Sequence, residues 1–343
     1  MTDPSRPDGP ARSGDIADSE TPDPPEASAP RALGLAAFTM EGRRAPALFV
    51  VGWLATLIGV GFVGLRFLGL EGLAGEVIAV IGTGLAALGL VLLAGSQSVE
   101  RRAAGMAYAG PSPVLVMFAA LAGIPFVASL IGLPLVVLNV HIPLSIGNLI
   151  LELVKLGVFV GVIRIAVIGS DAMRWSDMGL RADRGEILRG LATGAVFAGP
   201  VILVTGAVLY VVVLLANGLT PPSPLPPSRD ALGLISNLAI AAVLAPFSEE
   251  LLFRGFALTA WRRSVGVQAA ILRSALVFVL AHVLGVGGDS FGQAATLALI
   301  AGVGRIPVAL ALGWLFARTD SVWASIGLHA TYNAVLVLLA AGV

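Results

Sequence analysis

The chain has 343 residues, of which 57% are hydrophobic and 12% charged, about half the charged share of an ordinary globular domain. Basic and acidic residues balance at 21 each, so no basic footprint argues for a nucleic-acid partner. Cysteine is absent, which excludes disulfides, thiol catalysis and thiolate metal sites. Several apolar runs reach about twenty residues, enough to cross a bilayer as helices. The fold class expected is all-α: a polytopic helical membrane protein with about eight to nine transmembrane helices.

Residues 1–44 read as a disordered cytoplasmic tail. They are rich in Pro, Asp, Ser and Ala, and too few large apolar side chains are available to offset the entropy of ordering. The tail lacks the apolar core of a cleavable signal peptide, so the first membrane helix is expected to direct insertion. Nine apolar segments follow, near 46–66, 76–96, 113–139, 146–168, 190–216, 232–260, 267–285, 293–317 and 321–341. Arg43/Arg44, Arg101/Arg102, Arg174/Arg181/Arg184/Arg189, Arg262/Arg263 and Arg318 fall on alternate loops. The intervening loops carry almost no basic residues apart from Arg229; the loop near Arg66 is the least clear. That alternation predicts a multi-pass protein of the cell membrane with its N-terminus in the cytoplasm. Residues 45–170 form a first set of helices, and 171–190 an amphipathic cytoplasmic connector. Residues 191–343 hold most of the candidate chemistry. Pro221–Pro227 is expected to be an extended external linker.

Within the apolar run, Ala245-Pro246-Phe247-Ser248-Glu249-Glu250-Leu251-Leu252-Phe253-Arg254-Gly255 places two carboxylates and a guanidinium at membrane depth. Charges there cost free energy and tend to mark function. Glu250 and Arg254 are four residues apart, so on a helix they share a face and can pair. Glu249 is rotated about 100° from Glu250 and needs a partner from another segment. Two of the three histidines supply candidates. His282 ends Phe278-Val279-Leu280-Ala281-His282, and His329 precedes Asn333 by one turn. At a rise of about 1.5 Å per residue, Glu249 lies about 20 Å from the arginine-marked edge, His282 about 23 Å and His329 roughly 9–17 Å. These depths are compatible with one cavity reached from the cytoplasmic half. Each feature alone has a plain structural reading, as an ion pair, a packed histidine or interhelical glue; the three on separate helices are harder to dismiss. Glu152, Lys155 and Arg164 form a rival polar cluster. Glu152 and Lys155 stand at i, i+3 and are assigned a structural role, each neutralising the other.

Other motifs fall away. His-Glu-x-x-His is absent. Gly288-Asp289-Ser290-Phe291-Gly292 matches Gly-x-Ser-x-Gly, but in a short interhelical loop without the strand–turn–helix setting of a nucleophile elbow. No Walker loop or dinucleotide fingerprint is present, and no internal repeat supports a transporter.

Ser248 through Gly255, Phe278 with His282, and Gly327-Leu328-His329 with Asn333 together resemble the CPBP family of CAAX proteases and bacteriocin-processing enzymes, also called Abi. The resemblance extends over roughly residues 175–341. It implies an intramembrane endopeptidase acting on a peptide or membrane-protein substrate. Glu249 would be the general base that activates water, and Glu250 and Arg254 would hold the geometry. His282 and His329 would complete the water or metal site, and Asn333 would polarise the scissile carbonyl or bind its oxyanion. Burial of Glu249 is expected to make it a better base near neutral pH. Glu249, His282 and His329 are also the candidate ligands for a divalent metal such as zinc, although direct action of the glutamate on water needs none. The alternative is a non-catalytic membrane scaffold or bacteriocin self-immunity protein that retains the polar core.

Overall fold

The computed structural model describes residues 44–221 and 230–342. The expected tail, up to residue 43, and most of the proline-rich linker lie outside them. Among the described residues there are helices and turns but no strand.

Among the described residues, nine helical segments occur where nine apolar segments are expected. They are α1 (Pro46–Phe67), α2 (Gly72–Ala103), α3 (Pro113–Val137) and α4 (Leu144–Val162), which continues as a π-helical stretch over Ile163–Ile168. After the connector come α5 (Arg184–Leu215), α6 (Ala231–Val265), α7 (Val267–Val283), α8 (Phe291–Thr319) and α9 (Val322–Ala341). Seven of them, α1, α2, α3, α5, α6, α8 and α9, are long and apolar enough to cross a membrane; α7 is apolar but shorter. The boundaries follow local chemistry. Pro46 and Pro113 stand in the first turns of α1 and α3, where a missing N–H costs nothing. Asp183 caps α5 by accepting from the Glu186 N–H at 2.9 Å, so α5 starts six residues before its apolar run. Gly266, at φ +83°, separates α6 from α7.

The chain packs in order through its first half, α1 on α2, α2 on α3 and α3 on α4. In the second half α9 lies along α5, and α7 along α8. Helix α6 is the centre: it touches α4, α7, α8 and α9, and every residue from Leu251 to Leu258 is buried. A helix covered all round is a core element, which explains why this stretch is apolar without a polar face except at its charged residues.

Two parts of α6 are π-helical, Ile240–Leu244 and Leu251–Leu258, and the Glu249–Glu250 pair sits in the short α-helical piece between them. Pro246 accounts for the first. Its ring has no N–H to donate and crowds the carbonyl four residues earlier, and a widened turn before it relieves the clash. In the second, the Phe253 carbonyl accepts from Ser274 Oγ of α7 at 2.9 Å.

The arginine-bearing loops meet at one end of the bundle. The Arg44 N–H donates to Glu100 Oε1 at 2.5 Å, and Arg102 donates to the Ser170 carbonyl. Arg262 and Arg181 reach Asp320 at 2.9 and 3.5 Å. The connector carries a short 3-10 turn, Trp175–Met178, and Arg263 pairs with its Asp177 at 3.2 Å. The Arg174 N–H also donates to Asp177, and with the Arg263 guanidinium it holds that carboxyl below its usual range against a smaller opposing effect of burial. Met178 tucks completely beneath, against Gly255 of α6.

Candidate active site

Glu249 and Glu250 leave α6 in different directions, as adjacent helical residues must. They enter two different environments.

Glu250 is fully buried, as is Arg254. Arg254 Nη1 donates to Glu250 Oε1 at 2.9 Å, and Nη2 donates to the Ala309 carbonyl of α8 at 3.2 Å. The same Oε1 lies 2.8 Å from Nδ1 of His329 on α9. A carboxylate can only accept, so Nδ1 carries the proton and Nε2 is the nitrogen left to face outward from the pair. Glu250 therefore joins α6 to α9 and fixes the ring of His329, while Arg254 extends the tie to α8.

Glu249 is 8% exposed and points to a more open place. Its Oε2 lies 3.4 Å from Nε2 of His282. His282 Nδ1 is 2.7 Å from the Phe278 carbonyl, which also only accepts, so Nδ1 is again the protonated nitrogen. The imidazole is thus oriented by its own helix, with Nε2 turned to Glu249.

The other oxygen of Glu249 has a partner that spacing did not reveal. Lys155 Nζ of α4 donates to Glu249 Oε1 at 3.0 Å and lies 2.7 Å from Glu152 Oε1. The expectation that Glu152 and Lys155 serve only one another is therefore corrected. Their i, i+3 spacing satisfied a local rule and concealed a third partner 94 residues away. Nor is desolvation the sole influence on Glu249, since an ammonium touches it. Arg164, the third member of the rival cluster, is exposed and apart from this contact.

Phe278 is the wedge of the site. Its ring is 4.3 Å from the His282 ring and 5.9 Å from that of His329, and the Arg254 guanidinium lies over it at 4.3 Å. Stacking on an aromatic face suits a guanidinium held away from water. Asn333 Nδ2 donates to the Ala241 carbonyl at 2.9 Å, in the first π stretch of α6. An amide nitrogen has two hydrogens, so one remains for another acceptor.

Close approach of α5 and α9 holds His329 in place. A Cβ added at Gly327 would run into the Leu191 backbone, and one at Gly194 into the backbone of Ala324 and Leu328. Gly327→Val is expected to cost about 1–3 kcal/mol through overpacking and to move His329 off Glu250. Thermal unfolding of the purified variant measures this, and an unchanged midpoint would refute it.

The three candidate metal ligands are not gathered into one set. His329 turns Nδ1 to Glu250, Lys155 covers one oxygen of Glu249, and no group of three metal-ligating side chains comes together among the described residues. The described residues thus present no three-ligand zinc centre, and the Lys155 ammonium occupies one oxygen of Glu249.

No curated protein and no solved structure matches the chain. A family model does: the one described as type II CAAX prenyl endopeptidase, Rce1-like, matches residues 231–335. The matched segment is shorter than the 175–341 of the sequence resemblance, leaving the connector and α5 outside. It runs from the start of α6 to within α9 and contains Glu249, Glu250, Arg254, His282, His329 and Asn333, whereas Glu152 and Lys155 lie outside it. The α6–α9 segment of this multi-pass membrane protein is thus similar to the Rce1-like type II CAAX prenyl endopeptidase domain.

Proposed function

We propose that this domain hydrolyses a peptide bond at membrane depth with a water activated by Glu249. The observation that carries the reading is the pairing of Glu249 Oε2 with His282 Nε2 at 3.4 Å, in the more open of two carboxylate environments. In the neutral tautomer set by Phe278, Nε2 presents a lone pair beside a carboxylate, which is mutually repulsive. A water donating one proton to each relieves that repulsion and aims its own lone pair away, at a carbonyl carbon.

The step balances as follows. The water oxygen bonds to the carbonyl carbon as Glu249 takes a proton. The oxyanion is met by donors on α9, the free amide hydrogen of Asn333 and, when protonated, His329 Nε2. The carbon–nitrogen bond then breaks, the proton passes from Glu249 to the departing amine, and a carboxylic acid and an amine result, the acid giving its remaining proton to the amine or to solvent. Glu250 and Arg254 take no part in proton transfer; they hold His329. We further infer that the arginine-bearing end of the bundle faces the cytoplasm, with the substrate reaching the site from that side.

The name of the matched family points to a prenylated C-terminal peptide as the first probe. The chain purified into proteoliposomes is expected to cleave a fluorogenic farnesylated C-terminal peptide, and to keep its rate within about twofold after exhaustive chelation. Absence of product from this peptide, its unprenylated counterpart and a mixed peptide library would overturn the peptidase reading and favour the scaffold. A rate abolished by chelation and restored by zinc would overturn the assignment of the step to Glu249 alone.

A further inference from the structure

Nothing in the matched family segment accounts for Lys155. It is the one lysine among 21 basic residues, it sits in the middle of α4, and its ammonium touches a carboxylate on α6. Counted from Leu144, it lies about 16 Å into the helix, a depth at which an ammonium needs a partner. Glu152, one turn earlier on the same face, already provides one at 2.7 Å. A purely structural pair would be complete there. Instead Lys155 continues to Glu249 Oε1 at 3.0 Å, so that the three side chains form a line Glu152–Lys155–Glu249 from one helix to the next.

The direction of that line matters. A carboxylate on a flexible three-bond side chain has two oxygens and a free terminal rotation. With Oε1 held by the ammonium, the plane is set and Oε2 is the oxygen presented to His282 Nε2. Lysine suits this task because it is a compact point charge with three donors, able to serve two carboxylates at once. The wide planar fork of arginine would bring a second N–H into the space before His282.

We propose that Lys155, anchored by Glu152, is a positioning residue for Glu249, and that α4 is for this reason a working part of the catalytic assembly rather than a neighbouring helix. The proposal rests on the peptidase reading above. It also gives the first half of the chain a role, since α4 is what the preceding three helices support.

Turnover of the farnesylated peptide by the full chain in proteoliposomes tests it, with Glu249→Gln as the reference for lost chemistry. Lys155→Met is expected to lower kcat on the order of 10²-fold, the effect of a displaced reacting group, with KM within about twofold. Lys155→Arg is expected to recover at least about tenfold of that loss. A Lys155→Met variant with wild-type kcat, with raised kcat, or with a change confined to KM overturns the proposal, the second by making the lysine an obstruction and the third by making it a substrate contact. If Lys155→Met does not fold, Glu152→Met decides: it keeps the ammonium and removes the oxygens that anchor it. A fall in kcat of about tenfold supports the proposal and an unchanged kcat overturns it. Wild-type activity that vanishes in Glu249→Gln while Lys155→Met stays fully active defeats only the positioning role. A wild type without activity defeats the peptidase reading and this one with it.

Discussion

Glu249→Gln is expected to lower kcat by about 10²–10⁴-fold, the range for removal of a general base, while the thermal midpoint stays within a few degrees of wild type. The substitution preserves shape and keeps an oxygen for Lys155. It also leaves the Glu250, Arg254 and His329 contacts untouched, because those lie on another face of α6. What it removes is the ability to accept a proton from water. Turnover assays and thermal unfolding on the same preparation check both halves. A variant that retains more than about a tenth of wild-type kcat would remove Glu249 from the chemistry. One that unfolds instead would place it with the structural residues.

Glu250 is expected to behave in the opposite way. Glu250→Ala leaves the Arg254 guanidinium buried without its carboxylate, and breaking a buried pair in this manner costs about 3–5 kcal/mol. The loss should appear first as a lowered unfolding midpoint, with activity falling because the folded fraction falls and because His329 loses its anchor. Arg254→Met should be comparably damaging, since it strands the Glu250 carboxylate in an apolar core. Replacing both partners together by apolar residues should be milder than either single change. If Glu250→Ala unfolds at the wild-type temperature yet is inactive, the two carboxylates share the chemistry and their separation into a reacting and a supporting residue is wrong.

Much of this site is legible in the chain itself, and the boundary of legibility is physical. Apolar runs locate the nine helical segments among the described residues, seven of them long and apolar enough to cross a bilayer, because a membrane helix must satisfy its backbone internally and cover itself with apolar side chains. The contact of Glu250 with Arg254 is local, so i, i+4 spacing suffices to read it. His282 and His329 stand out because ionisable groups are rare at that depth. Tertiary pairing is different. Nothing in the spacing tells His329 to seat on Glu250 rather than Glu249, since both carboxylates occupy consecutive positions and the choice depends on how α9 is set against α6 by Gly327 and Gly194. Lys155 is missed for a sharper reason: Glu152 offered a sufficient local partner. The widened turns of α6 also leave little trace. Pro246 hints at the first, whereas Leu251–Leu258 reads as an ordinary apolar helix.

The central claim, that Glu249 activates water and does not itself attack the carbonyl, is tested most directly by a single turnover in water enriched in oxygen-18, with enzyme in excess over the farnesylated peptide. Mass spectrometry of the new C-terminal carboxylate is expected to show one solvent oxygen-18 atom in the first turnover, with Glu249 itself unlabelled. A first-turnover product carrying only oxygen-16, with the heavy isotope left in the Glu249 side chain, would show attack by the carboxylate and contradict it.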